Sequence, residues 1–303
     1  MKRFLLFLGL LVFAAGCSMD SPTSENESGG DNGEGSDEDV VVGVSISTLN
    51  NPFFVTLRDG IEEAAEERGY EVRVVDAQDD SSKQVNDIED LVQQGVDYLI
   101  INPTDSSAVS GSVESANSSD IPVVTVDRSV DSGEVAAFIA SDNIEGGEMA
   151  AQFIVDELGE GAVVAELEGV PGASATRERG EGFHNIADDA LDIVTSQTAN
   201  FNRSEGLDVT QNILQANSNV EAIFAHNDEM ALGALEAADD NVLVVGFDGT
   251  DDARASVENG ELSATIAQQP DLMGVTAVET VESLINGDDV DEEIKVELEL
   301  VSQ

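Results

Sequence analysis

Ten short runs of apolar, mostly β-branched residues recur between Val40 and Ala267, and they constrain the fold more than any other feature of the chain. They are VVVGVSIS from Val40, EVRVVDA from Glu71, YLII from Tyr98, PVVTV from Pro122, AAFIA from Ala136, AVVAEL from Ala162, DIVTS from Asp192, AIFA from Ala222, VLVVGF from Val242 and ATIA from Ala264. Helical patterns lie between most of them. One has Asn51 as its cap, Pro52 in its first turn and a stop at Gly69, and another runs from Ser82 to a stop at Gly95. Continuous apolar strands alternating with amphipathic helices predict parallel sheets covered on both faces, and about ten strands exceed what one such layer usually holds. An α/β fold of two doubly wound parallel-sheet lobes is therefore expected. No Pro/Gly-rich linker divides residues 40–303, so strand crossovers rather than a tether should join the lobes.

What precedes Val40 has a different character. Residues 1–16, MKRFLLFLGLLVFAAG, read as a signal peptide: a basic start (Lys2, Arg3), an apolar run from Phe4 to Phe13, and small residues before Cys17. The run is too short for a membrane-spanning helix. Cys17 is the only cysteine of the chain. Ala14-Ala15-Gly16-Cys17 resembles the lipobox of bacterial lipoproteins, which implies cleavage before Cys17 and lipidation of its sulfur, and hence an exported protein anchored at the membrane and facing the periplasm or cell exterior. Residues 18–39 carry eight acids and no base, cannot bury a core, and read as a flexible acidic tether.

Charge narrows the partners. With 12 Lys+Arg against 63 Asp+Glu the chain carries a formal charge of −51, the reverse of the basic footprint a nucleic acid requires. Only three of the bases are lysines, the pattern expected of a protein adapted to molar salt, where a Debye length of about 3 Å screens the self-repulsion. No GxxxxGK[ST] motif occurs and the loop after the first strand, TLNNPFF, has no glycine, so no nucleotide site is expected. His184 and His226 are the only histidines and lack a metal-ligand pattern; a solvated helix position is read for the first, and a strand end lining or flanking the cleft for the second. There is no GxSxG elbow. Neither a cofactor nor a metal nor a catalytic residue is expected.

Open parallel sheets bind ligands at the carboxyl ends of their strands. The residues there include Asn51, Phe53 and Phe54, then Asn102, Asp127 and Arg128, Arg177-Glu178-Arg179, Phe201, Asn227-Asp228, Asp248 and Gln268. Planar amides, carboxylates and guanidinium groups each hold two neighbouring hydroxyls, while a phenylalanine face covers the C–H surface of a sugar. An uncharged polyhydroxyl ligand fits this set. Two alternatives attach to single residues: Phe53 and Phe247 as plugs of the lobe cores, and Asp127 with Asp248 as a glycosidase pair. Against the second, each acid stands beside a partner suited to holding hydroxyls.

The motifs STLNNPFF, INPTDS, VDR, IASDN, RERGEGF, HNDEMALGAL, VVGFDGT and ATIAQQPD span residues 47–271. Through them the chain resembles the ribose-binding proteins of bacterial ABC transporters, a family within the type I periplasmic binding protein superfamily. The resemblance implies two lobes joined by three crossovers: 40–141 plus 269–297, and 142–268 plus 298–303. It implies D-ribose or a similar monosaccharide as ligand, an ABC permease with its ATPase as partners, and no enzymatic activity. Carried over residue by residue, it assigns Asn51, Phe53, Phe54, Asn102, Asp127 and Arg128 to one side of the cleft and Arg179, Phe201, Asn227 and Asp248 to the other. Gln268 falls at a crossover, the phenylalanines of the first loop stack on the sugar ring, and Ser47 and Ser141 are weaker members. His226 stands where the family pattern leads one to expect glutamine.

Three other readings share the fold. The ligand is another pentose, allose or autoinducer-2; or the chain is a sensor serving a chemoreceptor or kinase; or it is a sugar-responsive repressor. The last needs a helix-turn-helix where this sequence has an export signal and tether.

Overall fold

The computed structural model describes residues 40–303. The expected signal peptide, Cys17 and the acidic tether up to residue 39 lie outside the described residues. From Val40 the chain runs β1 (Val41–Ile46), α1 (Pro52–Arg68), β2 (Glu71–Asp76), α2 (Ser81–Gln93), β3 (Tyr98–Ile101), α3 (Ser106–Ser118), β4 (Val123–Val126) and β5 (Ala137–Ser141). It crosses to a second sheet and continues α4 (Asn143–Leu158), β6 (Val163–Glu168), α5 (Ser174–Ala190), β7 (Asp192–Thr198), α6 (Arg203–Ala216), β8 (Ala222–Ala225), α7 (Asp228–Leu235), β9 (Leu243–Asp248), α8 (Asp251–Glu258) and β10 (Ala264–Ala267). It returns through α9 (Pro270–Asn286) to β11 (Glu293–Val296), and crosses once more to β12 (Glu299–Ser302).

Each sheet has six strands, ordered β11-β5-β4-β3-β1-β2 and β12-β10-β9-β8-β6-β7. All pairings are parallel except β12 against β10. The two lobes are thus doubly wound α/β sheets, as the alternation of runs and helices requires. Helices cover both faces of each. In the first lobe, α1 and α9 pack with Val42, Val44, Ile100 and Val124, while the opposite face packs Leu99, Ile101 and Val123 against Ile88 and Val113 of α2 and α3. The second lobe repeats this, with Ile154 and Phe183 of α4 and α5 on one face and Ile213 and Met230 of α6 and α7 on the other.

Local signals set the helix ends. Asn51, extended at φ −95°, accepts the Phe53 N–H and so caps α1, while Gly69 closes it in the left-handed region at φ 73°, a conformation open to glycine at little cost. α2 begins at Ser81 rather than Ser82. The reason is Asp80, whose carboxylate accepts the N–H groups of Ser82 and Lys83 and fixes the cap one residue earlier. Two strands go beyond the ten runs: β11 and β12, short edge strands whose sequences EIKV and ELVS are too charged to read as apolar runs.

Candidate functional site

Both sheets aim their carboxyl ends at the same gap. Asp127 follows β4 and Asp248 ends β9, the corresponding strands of the two lobes, and both hold positive φ, 63° and 120°. Phe201, in the loop after β7, does so at 57°. Non-glycine residues rarely adopt this region, and where they do the surrounding structure holds them there.

Asn51, Phe53, Phe54, Asp127, Arg128, Ala175, Arg179, Phe201, Asn227 and Asp248 line one small cavity between the strand ends. The charged members are nearly sealed from solvent, with Asp127 2%, Arg179 3%, and Arg128 and Asp248 each 5% exposed. Arg128 Nε lies 3.4 Å from Asp127 Oδ2, and Arg179 Nη1 lies 3.6 Å from Asp248 Oδ1. Charges are paired at these distances, but hydrogen-bonding capacity remains unspent. Among the described residues the Asp127 carboxylate accepts only from Asn102 Nδ2 at 3.3 Å and the Asp248 carboxylate only from Gln268 Nε2 at 2.9 Å, while Arg128 Nε and Gln268 Oε1 have no hydrogen-bond partner. Buried groups with unspent valences around a small space can hydrogen-bond a polar guest rich in donors and acceptors.

Aromatic rings frame the arginines. Phe53 and Phe54 meet edge to face, with centroids 5.1 Å apart. The Arg128 guanidinium lies between Phe54 of its own lobe and Phe201 of the other, 5.0 and 5.2 Å from the centroids, and Arg179 lies 3.8 Å over Phe247. Phe247 is fully buried and packs in the second lobe's core beneath Arg179, so its place is the core plug. Phe53 and Phe54 border both the core of the first lobe and the cavity. Gly169 permits Phe201 its position, because a Cβ there would stand 2.1 Å from the ring.

The lobes meet at the rim of the cleft. Ser106 N–H donates to Gly172 O at 2.9 Å, Ser129 N–H to Ser174 Oγ at 3.0 Å, and Arg177 Nη2 pairs with Asp131 at 3.3 Å. Burial pushes the carboxyls of Asp127 and Asp248 up, Asp248 well above the usual value, with the arginines beside them pulling the other way. The Arg128 guanidinium is lowered by the same burial against the opposing pull of Asp127.

Asn102 and Gln268 stand one layer back. Asn102 accepts the Ser47 N–H and donates to Val126 O and Asp127, so it sets the strand-end loops of the first lobe. Gln268 borders a neighbouring mouth of the cleft with Phe53 and Asp248. Ser47 and Ser141 are buried with hydroxyls that lack a hydrogen-bond partner among the described residues. His226 follows β8 and flanks the cleft without lining the cavity: its carbonyl meets Arg179, and its fully buried ring turns inward to Glu166, with Nε2–Oε1 2.9 Å. His184 is a helix residue on α5 with its side chain 38% exposed, and Glu166 and Asp188 flank its two nitrogens at 3.2 and 2.7 Å. Three polar residues of this region were absent from the expected set: Glu166, Asn143, whose Oδ1 accepts from Arg179 Nε at 2.9 Å, and Ala175's neighbour Ser174. IASDN carried a signal for Asn143; nothing marked Glu166.

Residues 42–289 match the family described as periplasmic binding protein domain. The ribose import binding protein of Bacillus subtilis is 55% identical over 302 residues, covering 99% of this chain and 97% of that protein. The ribose import binding protein of Escherichia coli is 48% identical over 265 residues, covering 86% and 90%. Among solved structures, a Caulobacter myo-inositol binding protein bound to myo-inositol superposes with a TM-score of 0.82 at 35% identity, covering 87% of this chain and 93% of that one. A doubly wound pair of lobes, a small polar cavity between their strand ends and similarity over nearly the whole length agree: the chain belongs to the periplasmic binding protein family.

Proposed function

We propose that this chain captures D-ribose in its interlobe cavity and delivers it to an ABC permease, with no catalysis of its own. The observation that carries the reading is the cavity itself, where an acid and an arginine from each lobe, with unspent hydrogen bonds, face one small space between phenylalanines. The 55% identity with the Bacillus subtilis ribose import binding protein supports ribose over other sugars. Asn51, Phe53, Phe54, Asn102, Asp127 and Arg128 act from the lobe 40–141 plus 269–297. Arg179, Phe201, Asn227 and Asp248 act from the lobe 142–268 plus 298–303, with Gln268 at the crossover between them. In this account the empty protein samples open lobes, and contacts made only on closure shift it to the closed form that the permease reads. A separate ATPase supplies the energy. Residues 1–16 direct export, Cys17 carries the lipid, and 17–39 hold the lobes off the membrane.

A second reading is D-allose, favoured by 35% identity over 252 residues with the D-allose-binding periplasmic protein of Escherichia coli, covering 78% of this chain and 81% of that one. Calorimetric titration with D-ribose, D-allose, L-arabinose, D-galactose and D-glucose separates the two. Tightest binding of D-ribose is expected; tighter binding of D-allose gives the second reading, and silence from all five overturns both.

A further inference from the structure

Below Arg179 lies a buried polar cluster that the cavity does not use. Glu166 is completely buried on β6 among Val164, Ala165 and Leu167. A carboxylate in such surroundings persists only when compensated. Its Oε1 faces His226 Nε2 at 2.9 Å, and its Oε2 faces Ser196 Oγ at 2.5 Å and His184 Nε2 at 3.2 Å. Burial alone would raise this carboxyl, but the bond to His226, joined by Ser196 and His184, outweighs it and holds it below the ordinary value. An ionised carboxylate only accepts, so His226 presents Nε2–H to it. The other ring nitrogen is buried without a partner, and Glu166 is therefore the one polar group that holds this ring among the described residues.

The same residue seats the arginine. Arg179 Nη1 donates to the His226 carbonyl at 2.6 Å and lies 3.6 Å from Asp248 Oδ1, while Nε donates to Asn143 Oδ1 at 2.9 Å, so the carbonyl sets the nitrogen that faces Asp248. We infer that Glu166 is a positioning residue for the sugar site: through His226 it fixes the carbonyl on which Arg179 rests, and so aims the guanidinium at Asp248 and the ligand. The inference deepens the proposed sugar reading and rests on it for its effect on affinity. Glu166 is not among the residues that line the cavity, and its partners stand 18, 30 and 60 residues away in sequence.

The test is a double-mutant cycle on the whole chain, read by calorimetric titration with D-ribose. Glu166→Gln keeps the shape but removes the charge, and should weaken binding about tenfold. If it acts through Arg179, the same substitution in the Arg179→Lys background costs less than about twofold, because the group it aims is gone. His226→Gln, which keeps a donor towards Glu166 and the backbone carbonyl, should stay within about threefold of the unsubstituted chain. Equal losses from Glu166→Gln in both backgrounds would overturn the inference. Should Glu166→Gln fail to fold, Ser196→Ala removes one bond to Glu166 at an exposed position, and the exchange of the Arg179 Nε–H with water, followed by NMR in sugar-free protein, should become several-fold faster. An unchanged exchange rate overturns the positioning role. Absence of D-ribose binding by the unsubstituted chain overturns the sugar reading alone, and the exchange measurement then decides the positioning by itself.

Discussion

Asp248 bears the heaviest load of any single residue in the cavity, because Arg179 and Gln268 both depend on it. Asp248→Ala strands a buried guanidinium and an amide, and should cost about 2 to 5 kcal/mol of D-ribose binding. Asp127→Ala should do the same to Arg128. Undiminished affinity in either, measured by calorimetry, contradicts the assignment. The pH response follows from the raised carboxyls of the two acids. Each takes up its proton at a higher pH than an ordinary carboxyl, and a protonated acid loses acceptor strength and its attraction for the arginine. Affinity should therefore decline on acidification before ordinary carboxyls titrate. Folding responds in the opposite direction: a carboxyl raised in the folded chain costs stability above its folded value, and that cost disappears as pH falls. Asp228, raised to about 6 by burial against its bonds from Thr265 and Thr250, adds to this. The sugar-free protein should thus lose stability relative to acid conditions as pH rises through about 6 from this group, while affinity improves; denaturant unfolding at pH 5 and 7.5 measures the first, calorimetry the second. At this scale the sequence was informative where the strand-end rule applied, since a residue that follows an apolar run is placed by the run. It was silent for Glu166, which sits inside the apolar run AVVAEL with nothing nearby to mark it, because its partners are 18, 30 and 60 residues distant.

Among the elements, α4 and α5 carry the arginine to its place through glycine. A Cβ on Gly147 of α4 would stand 2.2 Å from the Arg179 carbonyl oxygen on α5, and one on Gly182 would stand 2.0 Å from Ile144 O. Backbone cannot yield as a side-chain tip can. Gly147→Ala should cost about 1 to 3 kcal/mol of stability and weaken sugar binding with it, since spreading the helices displaces Arg179. A denaturant midpoint within error of the unsubstituted chain would contradict the close approach. Buried strands and capped helices were legible because burial on both faces leaves an apolar run, and a cap leaves Asn51 or Gly69. β11 and β12 escaped for the converse reason. As edge strands they keep charged residues such as Glu293, Lys295 and Glu299 exposed, and only Val296 of the eight positions is buried.

For the whole molecule, a net charge of −51 sets how the lobes respond to salt. In dilute buffer repulsion reaches over about 10 Å, and at molar salt over about 3 Å. Thermal unfolding should therefore move upward between 0.1 M and 2 M NaCl, and an unchanged or falling Tm would contradict the reading of the acidity as adaptation to salt. The rim pair Arg177–Asp131, about half exposed on both sides, should matter little at high salt. The central claim, that the closed cavity is built for D-ribose, is tested most directly by thermal unfolding of the protein in molar salt with and without this sugar. At a hundred times its dissociation constant, bound ribose should add about 2.7 kcal/mol of stability, and Asp248→Ala should lose most of that gain at the same sugar concentration. No stabilisation of the unsubstituted chain by ribose at any concentration up to tens of millimolar would contradict the account.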